Sequence, residues 1–176
     1  MPSDLSSPRL GERSFNVLDD LANLGLHKVM IGEDDLIQLS QTDELYSSHN
    51  ANYLKLDRTP DFDHYSKVLD SMAKGDGFIS TGEVLLADVS STTLQDSVHF
   101  SATVTSTFPL RFAEIVWGDG KQTHHEVFPI DTSVAFDQHR YEWTARAPGW
   151  KWARIAVWDI AADGGFTNPI WRPSQQ

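Results

Sequence analysis

Three consecutive acidic residues, Glu33, Asp34 and Asp35, have the type and position best suited to chemistry in this chain. They follow the apolar run 29–31 and Gly32 in the stretch HKVMIGEDDLIQL. Carboxylates grouped after a strand bind divalent metal ions in many hydrolases, but Asp and Glu are also common in solvated turns. The residues alone leave both interpretations open, and Asp34 is the best-placed metal ligand.

Histidines elsewhere give weaker signals. His49 and Asn50 directly precede a predicted strand, a loop position that can line a site but that is more simply a solvated loop. His124 and His125 are neighbours in a predicted strand, where successive side chains point to opposite faces. These two histidines therefore cannot share one metal ion, and both are predicted to be surface residues.

Tryptophans are concentrated in the C-terminal half of the chain. Flat aromatic rings can form a platform that stacks on sugars. The alternation of the surrounding strands predicts instead that most of them build a core or an interdomain contact. The six residues are Trp117, Trp143, Trp150, Trp152, Trp158 and Trp171.

Composition limits the class of protein. The chain has 176 residues, 40% of them hydrophobic, which predicts a folded globular protein. A formal net charge of -11 and the lack of a basic cluster argue against nucleic acid and anionic membranes as partners. The absence of cysteine excludes a disulfide framework and thiolate chemistry. Because no signal peptide or membrane span is visible in the sequence, we expect a cytoplasmic location by default.

The first half of the chain has the pattern of a mixed α/β segment. Residues 1–13 are predicted to be a disordered N-terminus, and residues 14–86 alternate helices with strands. That order is typical of a parallel sheet or an α/β barrel, but there are too few units to close one, so residues 14–86 are predicted to be part of a barrel. The predicted elements are a helix from Ser14 to Gly25, strands at His27–Ile31 and Asn52–Leu56, a helix ending at Gly75, and a strand in the stretch GFISTGEVLL.

The second half changes to strand-like alternation. Residues 87–172 carry turn signals about every 8 to 12 residues, including a hairpin turn at Gly118–Gly120, with no helical stretch between them. This pattern predicts an antiparallel β-sandwich of immunoglobulin-like size, followed by a tail at residues 173–176. The fold class expected for the chain is thus α+β, with C-terminal units of an α/β barrel followed by a sandwich.

Five blocks of sequence, taken in order over residues 14–172, resemble a known family. They resemble the C-terminal part of the PHP (polymerase and histidinol phosphatase) metallohydrolases, in the carbaryl-hydrolase-like CehA/McbA branch. The blocks are LDDLANLGLHKVMIGEDD, NANYLKL, VLDSMAKGDGFISTGEVLL, STFPLRFAEIVWGDGK and WKWARIAVWDIAADGGFTNPIW. The resemblance implies a bacterial metal-dependent hydrolase that cleaves phosphoesters, or carboxylic or carbamate esters, with metal-activated water.

The family's late metal motif consists of a glycine, a serine-like residue, an aspartate, any residue and a histidine. Gly32, Glu33 and Asp34 occupy the first three positions, but Leu36 stands where the histidine belongs. The resemblance implies that the other ligands would precede Met1, so that this chain lacks most of the metal site and is inactive by itself. Asp34 is then the remaining ligand, Glu33, Asp35, His49 and Asn50 could line the site, and the catalytic residues are unknown.

The resemblance also implies partners. The chain would associate with the missing N-terminal barrel segment of the same protein, and its exposed sheet edge would favour self-association. A function of a different class is equally compatible with the strand pattern: a non-catalytic β-sandwich module that binds a carbohydrate or a protein through exposed Trp and Tyr side chains.

Metal content tests the hydrolase hypothesis. The resemblance implies Zn, Mn or Fe in the complete enzyme, with Asp34 retained here as one ligand. Elemental analysis after incubation with each metal is expected to show uptake by the complete enzyme, and not by this chain alone, which lacks most of the ligands. A complete enzyme that takes up none of the three metals would contradict the assignment of Asp34.

Overall fold

The computed structural model of the chain describes residues 9–32, 50–61, 63, 65–94 and 96–173. Two helices, α1 (Arg9–Asn23) and α2 (Ser66–Lys74), lie in the first half of the chain. The strands are β1 (Ala51–Leu54), β2 (Gly77–Ser80), β3 (Val84–Leu94), β4 (Ser97–Ser106), β5 (Leu110–Gly118), β6 (Thr123–Pro129), β7 (Asp137–Arg146), β8 (Trp152–Asp159), β9 (Gly164–Thr167) and β10 (Ile170–Trp171).

The strands form two packed sheets of unequal width. The wide sheet has the order β1-β2-β9-β8-β5-β6, with β10 also paired to β8, and the narrow sheet has the order β3-β4-β7. Every pairing among the described strands is antiparallel. The predicted antiparallel sandwich is confirmed, including the hairpin between β5 and β6.

The core between the sheets follows from the alternation of the strands. On β4, alternate residues point inward and are almost completely buried, while β5 and β8 supply the facing side chains of the wide sheet. Burial of this apolar surface is the main stabilising contribution to the sandwich. The inward residues of these strands include Val98, Phe100, Ala102, Val104, Ala113, Ile115, Ile155 and Val157.

Helix α1 covers the outer face of the wide sheet. Its Phe15 makes edge-to-face contacts with Phe166 and Trp158, at centroid distances of 4.8 and 6.4 Å. Two turns further on, Ala22 packs with Val116 and Trp152. The central strands of the wide sheet are therefore buried on both faces, by the narrow sheet on one side and by α1 on the other.

A charged layer lies between α1 and the wide sheet. Arg154 donates from Nε and Nη2 to the two carboxylate oxygens of Asp19, each at 2.9 Å, and both side chains are almost fully buried. Glu114 is also buried; it accepts a hydrogen bond from Trp158 Nε1 at 3.2 Å, and one of its oxygens lies 3.5 Å from Nδ1 of His125. Buried charges are tolerated when they are paired and hydrogen-bonded in this way.

The C-terminal end of α1 is held by a second set of hydrogen bonds. The side-chain oxygen of Asn23 accepts from Trp152 Nε1 at 3.0 Å and from the Gly120 N–H at 3.2 Å, and its amide nitrogen donates to Thr123 Oγ1 at 2.9 Å. A side chain at Gly118 would collide with both Asn23 and Trp152. Glycine at this position thus permits the close approach of α1 to the β5–β6 turn.

The structure differs from the barrel predicted for residues 14–86. Strands β1 and β2 pair with each other in antiparallel fashion, and β2 continues the wide sheet through β9. The described residues form no barrel, and β3 runs across the predicted boundary between residues 86 and 87. A helix between two strands is typical of a parallel crossover. Here the strand that follows α2 is β2, and it runs beside β1 in the opposite direction.

The predicted strand at His27–Ile31 is also wrong, and the reason lies in two asparagines. The backbone N–H and C=O of Met30 bond the side-chain amide of Asn168, at 2.7 and 3.1 Å. Asn52 binds Gly32 in the same manner, at 2.8 and 2.6 Å. Because amide side chains take the place of a neighbouring strand, the segment stays outside both sheets.

Helix boundaries were predicted more accurately at C-terminal ends than at N-terminal ends. Gly75 ends α2 in the left-handed conformation, as predicted. In contrast, α1 begins at Arg9, before the predicted cap Ser14 and within the segment predicted to be disordered. The N-terminal cap of α2 is Tyr65, which makes no capping hydrogen bond through its side chain.

The ion pair beneath α1 leads to a prediction about stability. Replacing Asp19 by Ala leaves the Arg154 guanidinium buried without its partner, which costs about 3–5 kcal/mol of unfolding free energy. The adjacent and exposed Asp20 provides a matched control, because Asp20→Ala should change stability by no more than about 0.5 kcal/mol. Urea unfolding followed by circular dichroism measures both; equal effects of the two substitutions would contradict the role of the pair.

Glu114 leads to a prediction about acid stability. Burial alone would raise the pKa of Glu114, but the hydrogen bond with His125 and the charge of Arg154 outweigh it and lower the pKa below 4.5. The ionised carboxylate thus stabilises the folded state above about pH 4.5, and this contribution is lost as the pH falls through the lowered pKa. Glu114→Gln should flatten the fall in unfolding free energy below about pH 4.5, whereas Glu142→Gln, at an exposed position on β7, should not. Identical pH profiles for wild type and Glu114→Gln would refute this contribution.

Candidate functional site

Most of the side chains predicted to form a metal site lie outside the described residues. These are Glu33, Asp34, Asp35 and His49. The fifth, Asn50, is exposed at the start of β1, and its side chain adjoins the backbone of Gly32. Within the described part of the chain, no group of three or more His, Asp and Glu side chains is arranged to hold a metal ion. The metal site around Asp34 stays a prediction.

The two neighbouring histidines lie on opposite faces of β6, as predicted. His124 stacks on Trp117 at a centroid distance of 5.4 Å and lies 3.4 Å from a carboxylate oxygen of Asp119. His125 faces the opposite side, toward Glu114 and α1. Both histidines are thus engaged with their own neighbours rather than converging on one ion.

The tryptophans do not form a sugar platform. Five of the six are buried, and Trp171 stacks on His27 at a centroid distance of 3.6 Å on the outer face of the wide sheet. The prediction that most of the tryptophans belong to a core is confirmed. Five tryptophan rings are thus unavailable to a ligand, whereas Trp171 is partly buried and lines the cavity described next.

An open cleft lies where the wide sheet extends past the narrow one. Because the narrow sheet ends at its edge strand β3, it leaves the inner face of β1 and β2 uncovered. The resulting cavity of about 800 Å³ is bounded by β1, β2, the first part of β3 and the segment that joins β9 to β10. Its size is within the range of about 300–1,000 Å³ typical of small-molecule sites.

Two aromatic rings form one wall of this cleft. Tyr53 and Phe78 are directly opposite each other on β1 and β2, and their rings stack at 4.6 Å with almost parallel planes. Phe78 packs against the core between the sheets, whereas Tyr53 is 39% exposed. The Tyr53 ring is therefore held from behind by Phe78 and is accessible to a ligand in the cleft.

Polar side chains border the same cleft. Lys55 and Lys74 lie at its end near β1 and α2, together with Asp76, and Asp88 lies across from them on β3. No ion pair joins these lysines and aspartates to one another in the described part of the chain. Their charged groups are thus available to bind hydroxyl, carboxylate or amine groups of a ligand.

Strand β3 has a bulge beside the cleft. The register with β4 shifts between Ala87 and Ser90, and Asp88 adopts a positive φ of 50°. A left-handed non-glycine residue carries backbone strain, and such residues and bulges are found preferentially beside functional sites. The bulge bends the edge of β3 at the point where it borders the cleft.

The cleft was not predicted, although one signal for it is present in the sequence. A strand was predicted at Asn52–Leu56, and the alternation of side chains along a strand places Tyr53 on the face opposite to Leu54 and Leu56. The difference in width between the two sheets could not be read from alternation. It depends on the pairing of β2 with β9, and these strands are far apart in sequence.

Comparison of the chain with models of protein families, with curated proteins and with solved structures found no match. No helix in the described residues is long and apolar enough to cross a membrane.

Proposed function

We propose that the sandwich is a non-catalytic carbohydrate-binding module and that the ligand occupies the cleft between β1–β2 and β3. The observation that carries this proposal is the accessible Tyr53 ring, held by Phe78 on the wall of a cavity of about 800 Å³. A flat ring of this kind stacks on the apolar face of a sugar and loses little conformational entropy on binding.

The polar border of the cleft supports a sugar rather than a purely apolar ligand. Sugars present hydroxyl groups around an apolar face, so they need donors and acceptors beside the stacking ring. Lys55 and Lys74 supply donors, while Asp76 and Asp88 supply acceptors, in the same cleft as the Tyr53 ring. Hydrogen bonds that involve charged groups are stronger than neutral ones and would orient the ligand.

The shape of β3 argues against an extended peptide as the ligand. A peptide that adds to a sheet edge needs a regular row of backbone N–H and C=O groups. The bulge at Asp88 interrupts this row beside the cleft, and bulges are one means by which edge strands avoid pairing with other chains. Of the two ligand classes compatible with a binding module, the geometry therefore favours carbohydrate.

Substitution of Tyr53 tests the proposal. Wild-type protein should be retarded by affinity electrophoresis in gels that contain soluble starch, xylan, β-glucan or alginate, and Tyr53→Ala should weaken binding to the retarding polysaccharide about tenfold, equivalent to about 1.4 kcal/mol. Tyr65→Ala is the matched control, since Tyr65 is exposed but does not line the cleft. Lack of retardation by every polysaccharide, or equal loss in both variants, would refute the proposal.

The metal-dependent hydrolase stays a second proposal. It is supported by the order of the five blocks that resemble PHP metallohydrolases, and it concerns residues around Asp34 that the cleft does not include. In that interpretation, the stretch around Asp34 would complete a metal site with ligands supplied by an N-terminal segment. Metal uptake distinguishes it from carbohydrate binding, because the cleft requires no metal.

A further inference from the structure

Three loops meet at one end of the sandwich and expose large apolar side chains. The N–H of Phe136 donates to the carbonyl of Thr107 at 3.1 Å, and the N–H of Ile160 donates to the carbonyl of Pro109 at 3.0 Å. These bonds join the β4–β5 turn to the segments before β7 and after β8. We call the resulting patch the apolar end surface; it consists of Phe108, Val134, Phe136 and Ile160, exposed by 41%, 60%, 85% and 60%.

Phe136 is held in a conformation that its residue type disfavours. Its φ is 55°, in the left-handed region, where a bulky side chain is uncommon and carries an energetic cost. The bond to Thr107 maintains this backbone, yet the ring gains almost no burial in return. Packing within the chain therefore does not explain this strained and exposed ring, whereas contact with another molecule would.

Acidic residues neighbour the apolar end surface along the chain. Asp131 and Asp137 flank the segment that carries Val134 and Phe136, and Asp163 follows Ile160 in its turn. Glu83 is brought beside the same loops, because its backbone carbonyl accepts from the Thr107 N–H at 3.1 Å. Arg111 is the one basic residue within or beside these loops in the described part of the chain. Like charges would repel a second copy of this surface, whereas Lys and Arg side chains on a partner would be attracted.

We propose that the apolar end surface docks a protein partner whose contact surface is apolar at its centre and bordered by Lys and Arg. Phe136 is the central anchor, because it is the most exposed of the four side chains and aromatic residues, Phe among them, are enriched at the cores of protein interfaces. The acidic border accelerates association and selects basic partners. This surface shares no residue with the carbohydrate cleft, so the two proposals stand independently.

The test uses a peptide with the proposed chemistry. A fluorescein-labelled amphipathic helix built from Leu and Lys represents the basic partner, and the same helix with Glu in place of Lys is its control. Fluorescence anisotropy should show micromolar binding of the Leu/Lys peptide to wild-type protein, at least about fivefold weaker at high salt because screening reduces the attraction. The Leu/Glu peptide should not bind.

The substitution Phe136→Asn distinguishes a loss of peptide affinity from a loss of folding stability. Asn tolerates the left-handed backbone, so the variant should unfold at the same or a higher denaturant concentration than wild type. Its affinity for the Leu/Lys peptide should nevertheless fall at least about tenfold. Leu94→Asn, at a residue exposed by 56% at the far end of β3, should bind like wild type.

Three results would overturn the proposal. The first is failure of the wild-type protein to bind the Leu/Lys peptide, and the second is equal loss of affinity in Phe136→Asn and Leu94→Asn. The third is a dimer, detected by sedimentation, that Phe136→Asn abolishes, because the surface would then join two copies of this chain rather than a basic partner.

Discussion

The charge of Arg154 beneath α1 is the constraint on which the rest of the arrangement depends. The guanidinium is buried and forms an ion pair with Asp19 on α1, and its charge also lowers the pKa of the nearby Glu114. Apolar contacts alone would let a helix slide or rotate on a flat sheet, whereas a two-point bond to Asp19 permits one orientation. We infer that the charged layer mainly fixes the orientation of α1 on the wide sheet. Its net contribution to stability is smaller, because the cost of desolvating the charges offsets much of their electrostatic attraction.

The unequal widths of the two sheets link the position of α1 to the formation of the cleft. The wide sheet can extend to β1 and β2 because its outer side is covered near the centre by α1, while Asn168 and Asn52 hold Met30 and Gly32 against its margin. Among the described strands, the narrow sheet has no counterpart to β1 and β2, so the inner face there is open and Tyr53 is accessible. The cleft is thus a consequence of topology rather than of any local motif.

Local pattern predicted the sandwich well and the N-terminal half poorly, for physical reasons. Alternation reports which face of a strand is buried, so the inward residues of β4 and the burial of most tryptophans could be predicted. The apolar run at Val29–Ile31 resembles a buried strand, but its hydrogen-bond partners are side chains supplied from Asn52 and Asn168. Long-range amide contacts leave no periodic signal in sequence. For the same reason, the Tyr53 ring could be predicted to point away from its neighbours, but not into a cleft.

The pairing of β2 with β9 has a consequence for the order in which the protein acquires structure during synthesis. Asp19 and Arg154 are separated by 135 positions, and β2 pairs with residues 165–167. While the ribosome is still making the middle of the chain, α1, β1 and β2 have no surface on which to dock. The narrow sheet, whose β3 and β4 are adjacent in sequence, can pair much earlier. Helix α1, β1 and β2 are thus made before the strands on which they dock and are fixed after them, and a chain interrupted before β8 would leave the apolar face of α1 accessible to chaperones and proteases.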